Sequence, residues 1–93
     1  MAIQIELPPA LEALTNGIGK VAVEGDDVRS ALDALDRRFP GTKSMVCDVS
    51  GNVRRFIHIY ANASDIRFLD NLETRLGDGA ELRIAPATRS GLY

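Results

Sequence analysis

Apolar and polar residues alternate in two runs near the start of the chain, at residues 2–7 and 20–24. A period of two is typical of a strand that buries one of its faces. Asn16 and Gly17 lie between the two runs and favour a turn. The pattern therefore predicts two strands joined as a hairpin.

The period changes to that of a helix after Gly25. The apolar positions then recur three and four residues apart, at Val28, Ala31, Leu32 and Leu35. Asp26 is the predicted N-cap, and Arg37 and Arg38 place positive charge near the C-terminal end, where the helix dipole favours it. Pro40 follows and stops the helix. The sequence predicts one main helix that packs on a sheet.

Residues 56–61 are the most strand-like segment, because aromatic and β-branched residues dominate it. Ile57 and Ile59 are expected to face the helix. The side chains expected on the opposite face are Phe56, His58 and Tyr60. His58 is the only histidine in the chain, and no partner for acid–base catalysis accompanies it in the sequence. We therefore assign it to structure or to an interface.

The patterns between these elements are weaker. Residues 66–69 are predicted as a short strand or extended piece. Residues 70–76 are predicted as one loose turn, with a 3₁₀ turn as one option. The leucines expected to point inward are Leu69, Leu72 and Leu76. Met45 and Val46 are expected under the core. Cys47 is interpreted as a small buried side chain rather than a reactive thiol.

A turn at Asp78-Gly79 precedes the last predicted strand, which covers residues 81–85. Leu82 and Ile84 fall on one face of this strand, and Arg83 falls on the other. The strand therefore combines one face suited to a core with one face suited to solvent or to a partner protein.

Pro86 ends the strand, because it has no amide hydrogen to donate to a neighbour. Residues 87–93 are small, polar or terminal and show no pattern of their own. Fully extended, they would reach roughly 20 Å or more. The sequence thus predicts a folded domain at residues 1–86 and a flexible C-terminal tail at residues 87–93, suited to threading into another protein's active site.

In chain order the predicted elements are strand, strand, helix, strand, short strand and strand. A hairpin followed by a helix that crosses to further strands predicts an α+β domain. We expect a β-grasp fold, with a mixed four- to five-stranded sheet covered by one main helix.

Composition narrows the classes of function. The chain has 93 residues, a formal net charge of −2 and one cysteine. This predicts a single folded domain, with no electrostatic footprint for nucleic acid and no cysteine cluster for a metal. The N-terminus has neither a basic region nor a long apolar run, so we expect no membrane partner and a cytoplasmic location. No bound cofactor is expected either. No motif for catalysis stands out, and an enzyme is the weakest class.

Three segments resemble the ubiquitin-like sulfur carrier family. They are residues 55–62 (Arg-Phe-Ile-His-Ile-Tyr-Ala-Asn), residues 65–68 (Asp-Ile-Arg-Phe) and residues 72–87, which contain Asp-Gly-Ala-Glu-Leu-Arg-Ile-Ala-Pro-Ala. This family includes the molybdopterin-synthase small subunit, the thiamine-pathway sulfur carrier and the mycobacterial cysteine-synthesis carrier, and the chain is most similar to the last. The resemblance covers nearly the whole chain and is best from Arg55 onward.

The resemblance implies a carrier rather than an enzyme. In this family an ATP-dependent, ubiquitin-activating-type adenylyltransferase adenylates the carboxylate of the C-terminal glycine. That glycine then receives sulfur as a thiocarboxylate and delivers it to a sulfur-accepting synthase. By this resemblance Gly91 is the acceptor. The residues that would support entry of the tail into the partner's site are Pro86, Ala87, Thr88, Arg89 and Ser90.

The chain departs from the family at its end. Family members usually end in Gly-Gly, whereas this chain has Ser90, Gly91, Leu92 and Tyr93. In one interpretation a zinc peptidase cuts between Gly91 and Leu92 and leaves Gly91 as the acceptor. In a second, the tail has lost the chemistry and the domain is a non-covalent β-grasp interaction module. In a third, this branch of the family uses another terminus or a non-covalent role.

A partner interface is predicted on the sheet face away from the helix. Aromatic and arginine side chains are enriched at protein interfaces. The candidates are Phe56, His58, Tyr60 and Arg83.

Overall fold

The computed structural model describes residues 1–86, and residues 87–93 lie outside the described part. Five strands form one sheet, namely β1 (Ala2–Glu6), β2 (Lys20–Glu24), β3 (Ile57–Ala61), β4 (Ser64–Asp65) and β5 (Glu81–Pro86). The helices are α1 (Pro9–Glu12), α2 (Val28–Arg38) and α3 (Thr42–Val46), and two 3₁₀ turns cover Ile66–Phe68 and Asn71–Glu73.

The strand order across the sheet is β2-β1-β5-β3-β4. β1 pairs with β2 in antiparallel fashion, as the predicted hairpin requires, and the single turn of α1 lies within the connection. β5 lies in the middle, parallel to β1 and antiparallel to β3. The sheet is therefore mixed and five-stranded, as the sequence predicts.

The core lies between one face of this sheet and α2. The alternation predicted from the sequence is present, because every second residue of β1, β2 and β5 is buried. The helix residues predicted to point inward are all at most 1 % exposed: Val28, Ala31, Leu32 and Leu35. Full burial of one leucine or isoleucine side chain stabilises a fold by about 1.5–3 kcal/mol.

The helix cap is one residue later than predicted. Asp27, not Asp26, is the N-cap of α2: its Oδ1 accepts a 2.7 Å hydrogen bond from the Ser30 amide. Ser30 Oγ accepts a hydrogen bond from the Asp27 amide at 3.2 Å, which completes a capping box. The bond from the Ser30 amide also lowers the pKa of the Asp27 carboxyl. Asp26 is largely exposed and reaches Arg75 at 4.0 Å.

The segment after α2 is more regular than the sequence indicates, because residues 42–46 form α3. Val46 is fully buried, as predicted, but Met45 is 47 % exposed, so that prediction is wrong. Adjacent residues on a helix point about 100° apart, and only one of the two can face the core. Cys47 is buried as predicted, and burial raises the pKa of its thiol.

The extended piece predicted at residues 66–69 is also wrong, because Ile66–Phe68 is a 3₁₀ turn. The Asp65 side chain caps this turn by accepting a 2.9 Å hydrogen bond from the Arg67 amide. Leu69 is 45 % exposed and does not point inward as expected. The other two leucines of this group are buried as predicted: Leu72 and Leu76. Among residues 1–86, no helix has the length and apolar character needed to cross a bilayer.

Candidate functional site

β5 fixes the position from which the C-terminal segment departs. The predicted turn before it is present, with Gly79 at a φ of 83°, a conformation that glycine adopts without strain. The strand continues one residue further than predicted, and Pro86 forms its last rung opposite Ile57. Since β5 is paired along both edges, the base of the C-terminal segment is anchored in the centre of the sheet.

The residues predicted to carry the chemistry lie outside the described residues. They are Ala87, Thr88, Arg89, Ser90, Gly91 and Leu92, and their assignment stays a prediction. Pro86 is the only tail residue of that prediction within the described part, where it is exposed.

Three of the four predicted interface residues lie together on the sheet face away from α2, here called the open face. Tyr60 on β3 and Arg83 on β5 are direct partners in the strand register. The Arg83 guanidinium carbon lies 5.0 Å from the centre of the Tyr60 ring, a cation–π contact. The His58 ring lies 6.3 Å from that of Tyr60, with 29° between their planes. The open face thus carries a contiguous group of two rings and one guanidinium.

Phe56 does not belong to this strand. The amide of Ile57 donates a 2.9 Å hydrogen bond to the Arg54 carbonyl, which closes a turn, so that β3 begins only at Ile57. Phe56 lies in that turn, 58 % exposed, with the Arg55 guanidinium carbon 5.8 Å from its ring centre. Its place in the interface stays a prediction, without the support that strand alternation gives the other three residues.

Two residues of the open face were missed by the sequence reasoning. Asp65 pairs with Tyr60 in the register, and the Arg67 guanidinium lies 2.9 Å from its Oδ2. His58 Nδ1 is 3.5 Å from the same oxygen and 3.4 Å from Arg67 Nη2. The Asp65 side chain is only 10 % exposed, and the hydrogen bonds from Arg67 lower the pKa of its carboxyl. These contacts fix the orientation of the His58 ring.

Asn62, a residue type that favours turns, is a signal in the sequence for part of this group. Asn62 and Ala63 form a two-residue turn in which both φ angles are positive, 49° and 77°. In a hairpin with such a turn, the residue just before the turn pairs with the residue just after it, and the next residues outward pair in the same way. Counting outward from the turn therefore places Asp65 opposite Tyr60.

Within residues 1–86, no group of three or more histidine, cysteine, aspartate or glutamate side chains is arranged to hold a metal ion. The site that the described residues do present is a polar and aromatic face beside the base of the C-terminal segment.

Comparison with known proteins assigns the family. No protein-family model matches the chain. The sulfur carrier protein CysO of Mycobacterium tuberculosis is 31 % identical over 93 residues, covering 98 % of this chain and 100 % of that protein. The chain belongs to the CysO family of sulfur carriers. The CysO of Mycobacterium bovis matches to the same extent.

Solved structures agree with this assignment. The crystal structure of M. tuberculosis CysO matches with a TM-score of 0.89 at 31 % identity, over 92 % of this chain and 99 % of that one. A chain of the Amycolatopsis orientalis BexX/CysO complex matches with a TM-score of 0.88 at 31 % identity, over 92 % and 96 %. SAMP1 of Haloferax volcanii matches with a TM-score of 0.80 at 25 % identity, over 96 % and 98 %. The predicted ubiquitin-like β-grasp fold is therefore confirmed.

Proposed function

We propose that this CysO-family carrier holds sulfur as a thiocarboxylate on Gly91, after removal of Leu92 and Tyr93. The observation that carries the proposal is the likeness to CysO over nearly the full length of both chains. Gly91 is the fifth residue after Pro86. In extended conformation that is a reach of roughly 17 Å from the end of β5.

The chemistry requires an activated carboxyl group. In the proposed first step, a carboxylate oxygen of Gly91 attacks the α-phosphorus of ATP and pyrophosphate leaves. A hydrosulfide equivalent then attacks the carbonyl carbon, AMP leaves, and the thiocarboxylate remains. Glycine suits this position, because the carbonyl must enter a closed site and glycine has no side chain to clash there. The partners are an adenylyltransferase of the ubiquitin-activating type, a sulfur-accepting synthase and a zinc peptidase that trims the tail.

The open face supports docking of such a partner beside the tail. His58, Tyr60 and Arg83 combine aromatic and arginine side chains, which are enriched at interfaces and among the residues that dominate binding. His58 pairs with Ala85, the residue next to Pro86. A protein that holds the tail therefore lies close to this group. The solved BexX/CysO complex of A. orientalis supports a protein partner for a carrier of this kind.

The first test is the intact mass of untagged protein isolated from its own cells. We expect a chain that ends at Gly91, with a fraction in which sulfur replaces one carboxylate oxygen. The second test is ATP–pyrophosphate exchange by the adenylyltransferase of the same genome, with protein ending at Gly91 as substrate. Exchange should occur with this protein and be lost when an extra alanine follows Gly91. Absence of exchange with protein ending at Gly91 would overturn the proposal.

A second candidate function rests on the end of the sequence. Ser90 stands where the family usually has the first glycine, and Leu92 and Tyr93 follow Gly91. In a non-covalent interaction module the tail would be dispensable. A complex that survives deletion of residues 90–93 would favour this candidate, and loss of binding on that deletion would count against it.

A further inference from the structure

The outer edge of β2 has no strand beside it within the described part of the chain. β2 is the first strand in the order β2-β1-β5-β3-β4, so residues 1–86 supply a neighbour on one side of it only. A free edge presents amide and carbonyl groups on which a further strand can pair. β2 therefore offers a five-residue edge to a further strand.

The direction of the backbone groups along β2 follows from two hydrogen bonds just outside it. The Leu7 amide donates to the Gly19 carbonyl at 2.8 Å, and the Gly25 amide donates to the Met1 carbonyl at 3.0 Å. Both bonds continue the register of β1 and β2, and bonded pairs alternate with non-bonded pairs along an antiparallel ladder. The even-numbered residues of β2 therefore point their amide and carbonyl groups to the outer edge.

These outward-pointing residues are Lys20, Ala22 and Glu24, and all three are exposed. Their charges are opposite at the two ends, with a small residue at the centre. When two copies of β2 pair in antiparallel fashion about Ala22, the register puts Lys20 of each copy opposite Glu24 of the other. Opposite charges that face each other across a strand pair stabilise it, and like charges destabilise it. The edge is thus complementary in charge to itself.

The charges next to this edge fit the same arrangement. On β1, Glu6 lies opposite Lys20 in the register. Glu24 has the amino group of Met1 at 3.1 Å from its Oε1. Across the paired strands the order is therefore Glu6, Lys20, Glu24 of the second copy and the amino group of that copy. The signs alternate along this row, so the pairing brings no like charges together in it.

We infer that the outer edge of β2 pairs with β2 of a second copy of this chain, in antiparallel register about Ala22. The even-numbered residues of the two strands exchange amide and carbonyl hydrogen bonds, and the two sheets become one sheet of ten strands. β5 lies two strands in from this edge, so the open face and the base of the C-terminal segment stay accessible in both copies. The inference goes beyond the proposed function and does not depend on it.

Arg38 limits the strength of this pairing. Its Nη1 donates a 3.1 Å hydrogen bond to the Ala22 carbonyl. A carbonyl oxygen can accept two hydrogen bonds, so this contact leaves room for the second strand. The guanidinium groups of the two copies then flank the axis, where their like charges repel. The five residues of β2 are also far fewer than the about 20–30 that each partner contributes to a standard interface. We therefore expect a weak, reversible dimer.

The first test is sedimentation equilibrium of the full chain at low salt, from about 10 μM to about 1 mM. We expect a dimer fraction that rises with concentration, with a midpoint on the order of 100 μM. The dimer should weaken at about 0.5 M salt, because salt screens exposed charge pairs. A chain that stays monomeric over the whole range at low salt would overturn the inference.

Charge reversal tests the register. Lys20→Glu and Glu24→Lys each put like charges opposite each other at two positions, and each should weaken self-association roughly tenfold. In an equimolar mixture of the two variants every pair is again of opposite sign, so the mixed dimer should form at least as readily as the unsubstituted one. A mixture that stays monomeric, or a single variant that dimerises as well as the unsubstituted protein, would contradict the register.

The matched control is Arg55→Glu. It makes the same change in net charge as Lys20→Glu, in the turn before β3, and the dimer midpoint should stay within about twofold. Thermal melting of each variant checks that the fold is intact.

Dilution of the unsubstituted protein, followed by amide chemical shifts, locates the contact without any substitution. We expect the largest shift changes within β2. Changes centred on Tyr60 or on β4 would overturn the inference, because the second copy would then occupy a different surface.

Discussion

The two faces of β5 differ completely in chemistry, because alternate residues of the strand form each of them. On the core face, Leu82 and Ile84 are at most 1 % exposed and pack with the buried side chains of α2. On the open face, Arg83 is exposed and stacks on Tyr60, while Glu81 borders a cleft. The core face holds the fold together through apolar contact. The open face carries charges and rings that the fold does not need, and these are available for a partner protein.

The strongest test of this difference is Leu82→Ala. Removal of a fully buried leucine side chain leaves a cavity, and we expect the free energy of unfolding to fall by about 2–5 kcal/mol. Arg83→Ala, one residue away on the open face, should cost about 1 kcal/mol or less. Urea unfolding followed by circular dichroism measures both variants. Similar losses for the two would show that the open face also serves the fold.

The next largest effect is expected for Tyr60→Glu. It replaces the central ring of the open face with a charge, and we expect at least about a tenfold loss of partner affinity. The free energy of unfolding should change by no more than about 1 kcal/mol. Binding is measured by calorimetry with the adenylyltransferase, and folding by thermal melting. Unfolding of the variant would mean that this side of the sheet is part of the core.

A smaller effect is expected at the start of α2, on the core side. Asp27→Ala removes the N-cap and should reduce stability by about 1 kcal/mol. Asp26→Ala is the control, because Asp26 is adjacent in sequence, its carboxylate is largely exposed and it is not the N-cap. We expect it to cost only a few tenths of this value. Both are measured by urea unfolding. If Asp26→Ala lowered the free energy of unfolding more than Asp27→Ala, the capping assignment would be wrong.

The smallest effect concerns pH and the open face. Hydrogen bonds from Arg67 lower the pKa of Asp65 in the folded protein. The folded state therefore binds this proton less readily than the unfolded state, whose aspartate pKa is about 3.9. The stabilisation by Asp65 is thus present above that pH and is lost as the pH falls through the lower, folded value. Asp65→Asn should be less stable than the unsubstituted protein at pH 7, and the two should converge in acid. A constant difference from pH 7 to pH 2 would contradict this.

Most of the fold could be predicted because its elements have strong periodicity. The alternation in β1, β2 and β5, and the helical spacing in α2, each depend on burial of one face. The wrong predictions concern elements that are too short to repeat their pattern of apolar and polar residues. α3 has five residues and the first 3₁₀ turn has three, so neither repeats its pattern. For the same reason, the sequence did not show that Met45 and Leu69 point away from the core.

The candidate site was predicted in part. His58, Tyr60 and Arg83 could be placed on one face because alternation fixes the direction of strand side chains. Asp65 and Arg67 were missed, because their proximity to His58 depends on how β3 and β4 pair.

By itself, the sequence determined which residues are buried in β1, β2, β5 and α2 and which chemistry each face of these strands carries, since both depend on local periodicity. Only the tertiary structure decided that β5 lies between β1 and β3, which brings Glu6, Arg83 and Tyr60 into one row. Strand order is set by how the whole chain buries its apolar faces together, and residues 77 positions apart, such as Glu6 and Arg83, share no local pattern that could reveal it.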